Sequence, residues 1–144
     1  MLDAKSYLRQ VENLDVRIQN KLIERQQWES IALGITASIG GDRVQSSGSQ
    51  QKMADAVEKC VDMEKEIKAL VDNLIETKKD VISTIEQLEN PTEYDILHKR
   101  YIQAMSLQEI ADRYGREYTS ITTTHGRALK NVQRILNKKV CDSV

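Results

Sequence analysis

The sequence is poor in residues that interrupt helices or fill large cores. It has one Pro, six Gly and no Phe among 144 residues, and aromatic residues make up 4%. The scarcity of Pro and Gly favours long uninterrupted elements, and abundant Glu, Lys, Gln, Leu and Ile favour helices. So few aromatic side chains argue against a large globular core. The sequence predicts an all-α protein of one domain or two small ones, with helices packed along seams.

The sequence also lacks the features of metal sites and membrane spans. Cys60 and Cys141 are far apart, no CxxC motif is present, and the two histidines are His98 and His125. No zinc ligand set is available, and no cofactor is expected. No signal peptide precedes the first helical pattern, and no apolar run approaches the ~20 residues of a span. These absences predict a cytoplasmic protein with reduced thiols and no membrane partner.

Catalytic constellations are missing as well. There is no carboxylate pair, nucleophile with an adjacent base, Gly-rich phosphate loop or metal cluster at usable spacing. The SSGSQ run at 46–50 lacks a following Lys and does not follow a strand, so it is not a P-loop. The sequence predicts a binding protein rather than an enzyme.

Apolar residues repeat at helical spacing through the first segment. They predict an amphipathic helix over about 3–33, along the stripe Leu8, Val11, Leu14, Ile18 and Leu22, continued by Trp28 and Ile31. The pattern dissolves over 36–50, where Gly40-Gly41 and a Ser/Gly run predict a flexible connection.

A strict seven-residue repeat follows this connection. Its members are Met53, Cys60, Ile67, Leu74, Val81 and Leu88, accompanied by Val57, Met63, Leu70, Val71 and Ile85. Such a repeat selects a left-handed coiled coil, here roughly 55 Å long. One helix cannot bury its seam alone. Its partner is either the first segment, folded back antiparallel, or a second chain that makes a homo-oligomer.

Three shorter helices are predicted after Asn90-Pro91, which ends the long helix because Pro lacks an N–H. They cover about 92–103, 106–114 and 117–138, with Thr92 and Ser106 as caps and Asp95 and Glu109 as their partners three residues later. The predicted domains are therefore a helical hairpin or coiled coil over 1–90 and a three-helix domain over 91–144.

The last two helices carry the pattern of a helix-turn-helix. Two steeply crossing helices need a small residue where their backbones touch, a turn residue that tolerates positive φ, and an apolar anchor on the second helix. Ala111, Gly115 and Ile121 supply these in order. The alternative is an ordinary helical hairpin in which Gly115 only caps a helix.

The charge distribution agrees with a nucleic-acid partner. Residues 1–91 carry 12 Lys/Arg against 16 Asp/Glu, whereas residues 92–144 carry 9 against 6. Between Arg113 and Lys139 there are 7 basic residues and one acid, Glu117. Such a segment is the electrostatic footprint expected for phosphate contacts with double-stranded DNA.

A helix-turn-helix would place the first turns of the last helix in the major groove. With Ile121 inward, the outward residues are Tyr118, Thr119, Thr122 and Thr123, with Ser120 at the edge. Short hydroxyls can bond phosphates or base edges, and Thr methyl groups can pack on thymine. The predicted backbone contacts are Arg113, Arg116, Arg127 and Lys130. His125 is expected to be a plain exposed histidine.

These residues resemble a known family. Leu97 to Leu136 resembles region 4 of the sigma-70 family of RNA polymerase sigma factors, which reads the −35 promoter element. SLQEIADRYGREYTSITTTHGRALKNV, residues 106–132, follows its pattern from an L-x-E-I-A helix to an R-A-L run. The resemblance implies base reading at Tyr118, Thr119, Thr122 and Thr123 and a backbone contact at Arg127. Sigma factors carry mostly charged and amide side chains there, so recognition of the standard −35 sequence is not expected.

The upstream segment lacks regions that bind a −10 element, so the chain is not a complete sigma factor. The whole chain, including VQSSGSQQKMADAV at 44–57, resembles phage- and prophage-encoded sigma-like regulators of the ArpU/RinA type from Gram-positive bacteria. This implies a transcriptional regulator of late phage genes with RNA polymerase as a partner. Two alternatives stay open: a DNA-packaging adaptor like a phage small terminase subunit, and a structural coiled coil without DNA affinity.

Overall fold

The computed structural model describes residues 2–34 and 47–142. All regular secondary structure in this part of the chain is helical, as predicted, and it contains no strand. Its helices are α1 (Ala4–Ala32), α2 (Ser47–Ile85), α3 (Pro91–Leu97), α4 (Leu107–Tyr114) and α5 (Tyr118–Asp142), and α3 continues into a π-helical turn at His98–Ile102. Within these residues, no helix has the length and apolar character that crossing a bilayer requires.

The start of α2 overlaps the connection that was predicted over 36–50. α2 already begins at Ser47, so residues 47–50 are helical, whereas residues 36–46 lie outside the described part of the chain. α2 ends at Ile85, and the N–H groups of Gln87 and Leu88 bond back to Thr84 and Ile85 in a turn. The long helix therefore stops before Asn90-Pro91 rather than at it.

Asn90 caps α3, not Thr92. The Asn90 side chain accepts hydrogen bonds from the backbone N–H groups of Thr92 and Glu93, at 2.9 and 3.3 Å. Pro91 occupies the first turn, where a missing N–H costs nothing. Asp95 is not part of a capping box, because its carboxylate binds Lys99 Nζ at 2.6 and 2.7 Å and also the Tyr114 hydroxyl.

The chain divides into two compact units, Met1–Asn13 with Leu74–Val144 (unit 1) and Leu14–Asn73 (unit 2). This division differs from the predicted boundary at residue 90. The first turns of α1 and the last turns of α2 share a core with the C-terminal helices because their apolar residues pack against α5 and the π turn.

In unit 2, α1 and α2 run antiparallel. Lys21 pairs with Glu66 at 3.1 Å, Arg25 pairs with Glu64, and the Cys60 thiol lies 3.9 Å from the Arg25 carbonyl. Glu66 and Glu64 on α2 thus neutralise Lys21 and Arg25, which lie in the seam between the two helices. The buried apolar residues of this unit are Ile18, Ala56 and Met63.

The apolar stripes predicted for unit 2 are only partly buried. Leu22 is exposed because the seam after Ile18 passes through Lys21 and Arg25 instead. On α2, Val57 is 52% exposed and Met53 also reaches solvent, whereas Cys60 and Ile67 are half-buried. The seven-residue spacing is therefore present, but the most deeply buried positions are Ala56 and Met63.

Unit 1 has two apolar clusters. The larger one joins α1, the end of α2, the π turn and α5 through Ala4, Tyr7, Leu8, Val11, Val81, Ile85, Leu97, Tyr101, Ala128 and Val132. The smaller one joins α3, α4 and α5 through Ile96, Ile110, Ala111 and Ile121. The position of α5 is thus fixed on two sides by buried side chains.

A chain of hydrogen bonds crosses the larger cluster. Lys139 Nζ donates to Thr84 at 2.8 Å, Thr84 and Tyr7 share a hydrogen bond of 2.8 Å, and Tyr7 donates to Asp80 at 2.5 Å. Burial, reinforced by the bond to Asp80, raises the pKa of Tyr7 to about 12. Lys139 is one of the basic residues counted between Arg113 and Lys139, but its ammonium group donates a hydrogen bond to Thr84 in unit 1.

Candidate nucleic-acid interface

The α4–α5 connection is built by local backbone chemistry. The Ser106 hydroxyl caps α4 by accepting from the Glu109 N–H at 3.1 Å. At the other end, Gly115 adopts φ 64°, and the N–H groups of Gly115 and Arg116 bond to the carbonyls of Asp112 and Ala111. This is a Schellman C-cap, which reverses the chain into α5 after two residues.

Ile121 anchors the first turns of α5. Its side chain is completely buried with Ile96, Ile110 and Ala111. A second contact braces the same elements: the Tyr114 hydroxyl at the end of α4 donates to Asp95 of α3. Burial opposes ionisation of Asp95, but hydrogen bonds from Lys99 and Tyr114 outweigh it and lower the pKa of that carboxyl.

The sequence-predicted contact residues mostly lie on the surface. Tyr118 is 48% exposed, and Thr119, Ser120 and Thr123 are exposed, whereas Thr122 is half-buried. Because Ile121 points inward, the side chains that precede and follow it are turned toward solvent. The structure therefore brings four of the five predicted groove residues onto an open surface and places Thr122 at its margin.

The threonine hydroxyls have backbone partners that sequence reasoning missed. Thr122 and Thr123 both donate to the Thr119 carbonyl, at 2.9 and 2.8 Å, and Thr124 donates to the Ser120 carbonyl at 3.0 Å. Ser and Thr commonly make such bonds within helices. Their hydroxyl protons are occupied in this conformation, but the oxygen lone pairs and the methyl groups are left for other contacts.

The predicted backbone-contact residues are cations exposed on the surface of α4, the turn and α5. Arg113, Arg116, Arg127 and Lys130 are all exposed, and none has an ion-pair partner among residues 2–34 and 47–142. The Arg116 guanidinium lies 5.8 Å from the centroid of the Tyr114 ring. Their charge is therefore not neutralised by the described carboxylates.

His125 is not the plain exposed histidine that was predicted. It is half-buried, its Nε2 lies 2.8 Å from the Tyr101 hydroxyl, and the two rings stack with centroids 5.7 Å apart. Burial, with the charges of Arg100 and Lys5, lowers the pKa of His125. No local sequence pattern indicates this contact, because Tyr101 reaches α5 through the π-helical turn.

One known family model matches most of the chain. The model of DUF1492, described as a protein family of unknown function, matches residues 35–137, which include α2 to α4 and most of α5. The chain belongs to the DUF1492 family. No curated protein and no solved structure matches it. In the described part of this DUF1492 member, no group of three or more His, Cys, Asp and Glu residues is placed to hold a metal ion.

Proposed function

We propose that this DUF1492 protein is a sequence-specific DNA-binding transcriptional regulator. The proposed DNA-binding element is a sigma-70 region 4-like helix-turn-helix made by α4 and α5, with the first turns of α5 in the major groove. The observation that carries this proposal is the orientation of α5. Burial of Ile121 leaves Tyr118, Thr119 and Thr123 on the surface, near arginines that have no ion-pair partner among the described residues.

The chemistry of this surface suits a duplex. Arg113, Arg116, Arg127 and Lys130 would bind phosphates, which position the protein without reading sequence. Thr123 donates its proton to the backbone, so its oxygen would accept from adenine N6 or cytosine N4, and its methyl group would pack on thymine. None of these contacts equals the bidentate pairing of Arg with guanine, so one module would discriminate only modestly.

A second module would supply the missing specificity. Following the resemblance, we propose that the protein acts in the bacterial cytoplasm at promoters of late phage genes, together with RNA polymerase. The long helices are proposed to serve self-association or polymerase contact. Exposed Val57 and Val61 on α2 support this proposal, because apolar side chains at solvent-facing positions are available to a partner.

DNA binding can be tested by selecting the fragments of host or phage DNA that the protein binds. Its affinity for one of these fragments is then measured at several salt concentrations. Arg127→Gln is expected to weaken binding to every duplex and to reduce the slope of log K against log salt by ~1. Thr123→Ala is expected to leave that slope unchanged while altering discrimination between sites by ~1 kcal/mol. Lys59→Gln, which removes an exposed cation from unit 2, is the matched control.

Two outcomes contradict the proposal. If the wild-type chain does not bind any duplex in dilute buffer, α5 does not read DNA. If it binds only a packaging site, as a ring-shaped oligomer and without effect on transcription, the packaging adaptor is the correct function. Footprints of the selected fragments, compared with transcription start sites, separate regulation from packaging.

A further inference from the structure

Three cations outside the predicted interface come together in unit 1. Lys5 and Arg9 lie one helical turn apart on exposed positions of α1, and Arg100 lies in the π turn. We call them the α1 basic strip. Each cation is adjacent in the sequence to a residue of the larger apolar cluster, namely Ala4, Leu8 and Tyr101. No sequence pattern links these three cations, because α1 and the π turn are far apart in the chain.

Contacts within unit 1 attach this strip to α5. The Ala4 N–H donates to Gln133 Oε1 of α5 at 2.7 Å, and Ala4 and Leu8 share a cluster with Ala128 and Val132. Arg100 lies 5.3 Å from the centroid of the Tyr101 ring, and the Tyr101 hydroxyl contacts His125. The strip therefore lies along the side of α5 that carries His125.

Helix geometry relates that side to the proposed groove surface. Each residue of an α-helix is rotated by about 100° around the helix axis relative to the one before it. Measured around α5 from the inward direction of Ile121, His125 lies at roughly 40°, Thr122 at roughly 100° and Thr119 at roughly 160°. Arg127, at roughly 240°, is on the other side of the outward face. The α1 basic strip and Arg127 thus flank the proposed groove surface on opposite sides.

The three cations of the strip are not engaged in salt bridges with the described carboxylates. The acidic groups beside the strip are Asp3, just before α1, whose carboxylate accepts from the Ser6 N–H at 2.8 Å and interacts with the charge of Lys5, and Glu12 of α1. The electrostatic effect of Lys5 and Arg100 reaches His125. Long cationic side chains held this way are available for an anion.

We propose that Lys5, Arg9 and Arg100 bind phosphates of the DNA strand that borders the groove on the His125 side of α5. This inference rests on the proposed function. A major groove about 12 Å wide accepts one helix and leaves a phosphate backbone on each side of it. The α1 basic strip holds one strand while Arg127 holds the other. The N-terminal turns of α1 are thereby part of the DNA-binding surface.

The experiment compares salt-dependent affinities of the full-length chain for one selected duplex. The double variant Lys5→Gln/Arg9→Gln is expected to reduce the salt slope by ~2 and to weaken binding about tenfold or more. Arg100→Gln alone is expected to reduce the slope by ~1. The matched control Lys59→Gln/Lys68→Gln removes two exposed cations from α2 and should leave the slope unchanged. Lys5→Arg/Arg9→Lys, which keeps both charges, should bind like wild type.

The outcomes separate this inference from the proposed function. If Arg127→Gln lowers the slope but the strip variants do not, the strip does not touch DNA, although α5 still binds it. If the α2 control lowers the slope as much as the strip variants, the effect is one of net charge and the inference is wrong. If the conservative variant binds as weakly as the Gln variant, packing rather than charge is responsible. If the wild-type chain binds no duplex, both proposals fall.

Discussion

The Tyr101 hydroxyl and His125 Nε2, 2.8 Å apart, join the π turn to the middle of α5. Their rings stack at an interplanar angle of 23°, and the cations Arg100 and Lys5 lie near the imidazole. A π-helical turn places Tyr101 at this contact, since one extra residue in the turn changes the direction of the side chains that follow. Burial and the two nearby cations disfavour the charged form of His125, so the contact with Tyr101 is made by a neutral imidazole.

Stability is therefore expected to fall as the pH is lowered through the range in which His125 titrates. The folded-state pKa lies below the ordinary value of 6.5, so the unfolded chain binds more protons between the two pKa values. The free energy of unfolding should decrease from pH 7.5 toward pH values below 6.5. Urea titrations across this range measure it.

His125→Gln is the control for this pH dependence. Asp3 and Asp95 have lowered pKa values and titrate at more acidic pH, so they contribute little between pH 6 and 7. The variant should show a flatter stability profile than wild type in that interval. An equally steep profile in His125→Gln would mean that a different group binds the protons.

The turn between α4 and α5 depends on the positive φ of Gly115. A Cβ built there meets nothing within 4 Å, so the cost of Gly115→Ala comes from the backbone alone. We expect a loss of about 1–2 kcal/mol in the free energy of unfolding. Chemical denaturation of the two proteins tests it, and an unchanged midpoint would show that the turn relaxes to another conformation.

Ala104 allows the opposite change, from Ala to Gly, at a second position with positive φ. It adopts φ 58° between the π turn and α4 without being Gly. Ala104→Gly relieves about 1–2 kcal/mol of backbone strain and loses about 0.5–1 kcal/mol through greater unfolded-state entropy. The expected result is a net gain of about 0–1.5 kcal/mol in the same denaturation assay. A clear loss would contradict it.

Gly126 lies inside α5, where a helix gains from Ala. A Cβ there also meets nothing within 4 Å. Gly126→Ala should therefore stabilise the protein by about 0.5–1 kcal/mol. Gly126 is seven residues after Thr119 and therefore lies on the same face of α5. If Gly126→Ala gains stability but loses DNA affinity, the duplex lies close to the α5 backbone at this position. Thermal denaturation and duplex binding should be measured together.

Tyr7 stabilises unit 1 through its hydroxyl as well as its ring. Tyr7→Phe keeps the buried ring but removes the bonds to Asp80 and Thr84, and we expect a loss of about 1–3 kcal/mol. Tyr118→Phe is the matched control, because Tyr118 is exposed and its change should stay within about 0.5 kcal/mol. Equal effects of the two substitutions would exclude a specific role for the Tyr7 hydroxyl.

Local features were predicted well from the sequence. The Ser106 cap, the Gly115 turn and the inward position of Ile121 all depend on residues within one or two turns of each other. The helical spacing of α1 and α2 is equally local. The predicted end of α2 and the predicted cap of α3 were wrong. Ile85 packs into a tertiary cluster, and the cap of α3 lies two residues before Thr92, where Asn90 accepts from the N–H groups of Thr92 and Glu93.

The helices of this chain, the two ends of α4 and the apolar face of α5 follow from local sequence, because periodicity, caps and backbone preferences act over a few residues. Long-range packing accounts for the contact of the first turns of α1 with α5, for Lys21 and Arg25 in a seam, and for His125 half-buried against Tyr101. These contacts join residues distant in the chain. Their partners depend on which surfaces meet, and no local pattern encodes that choice.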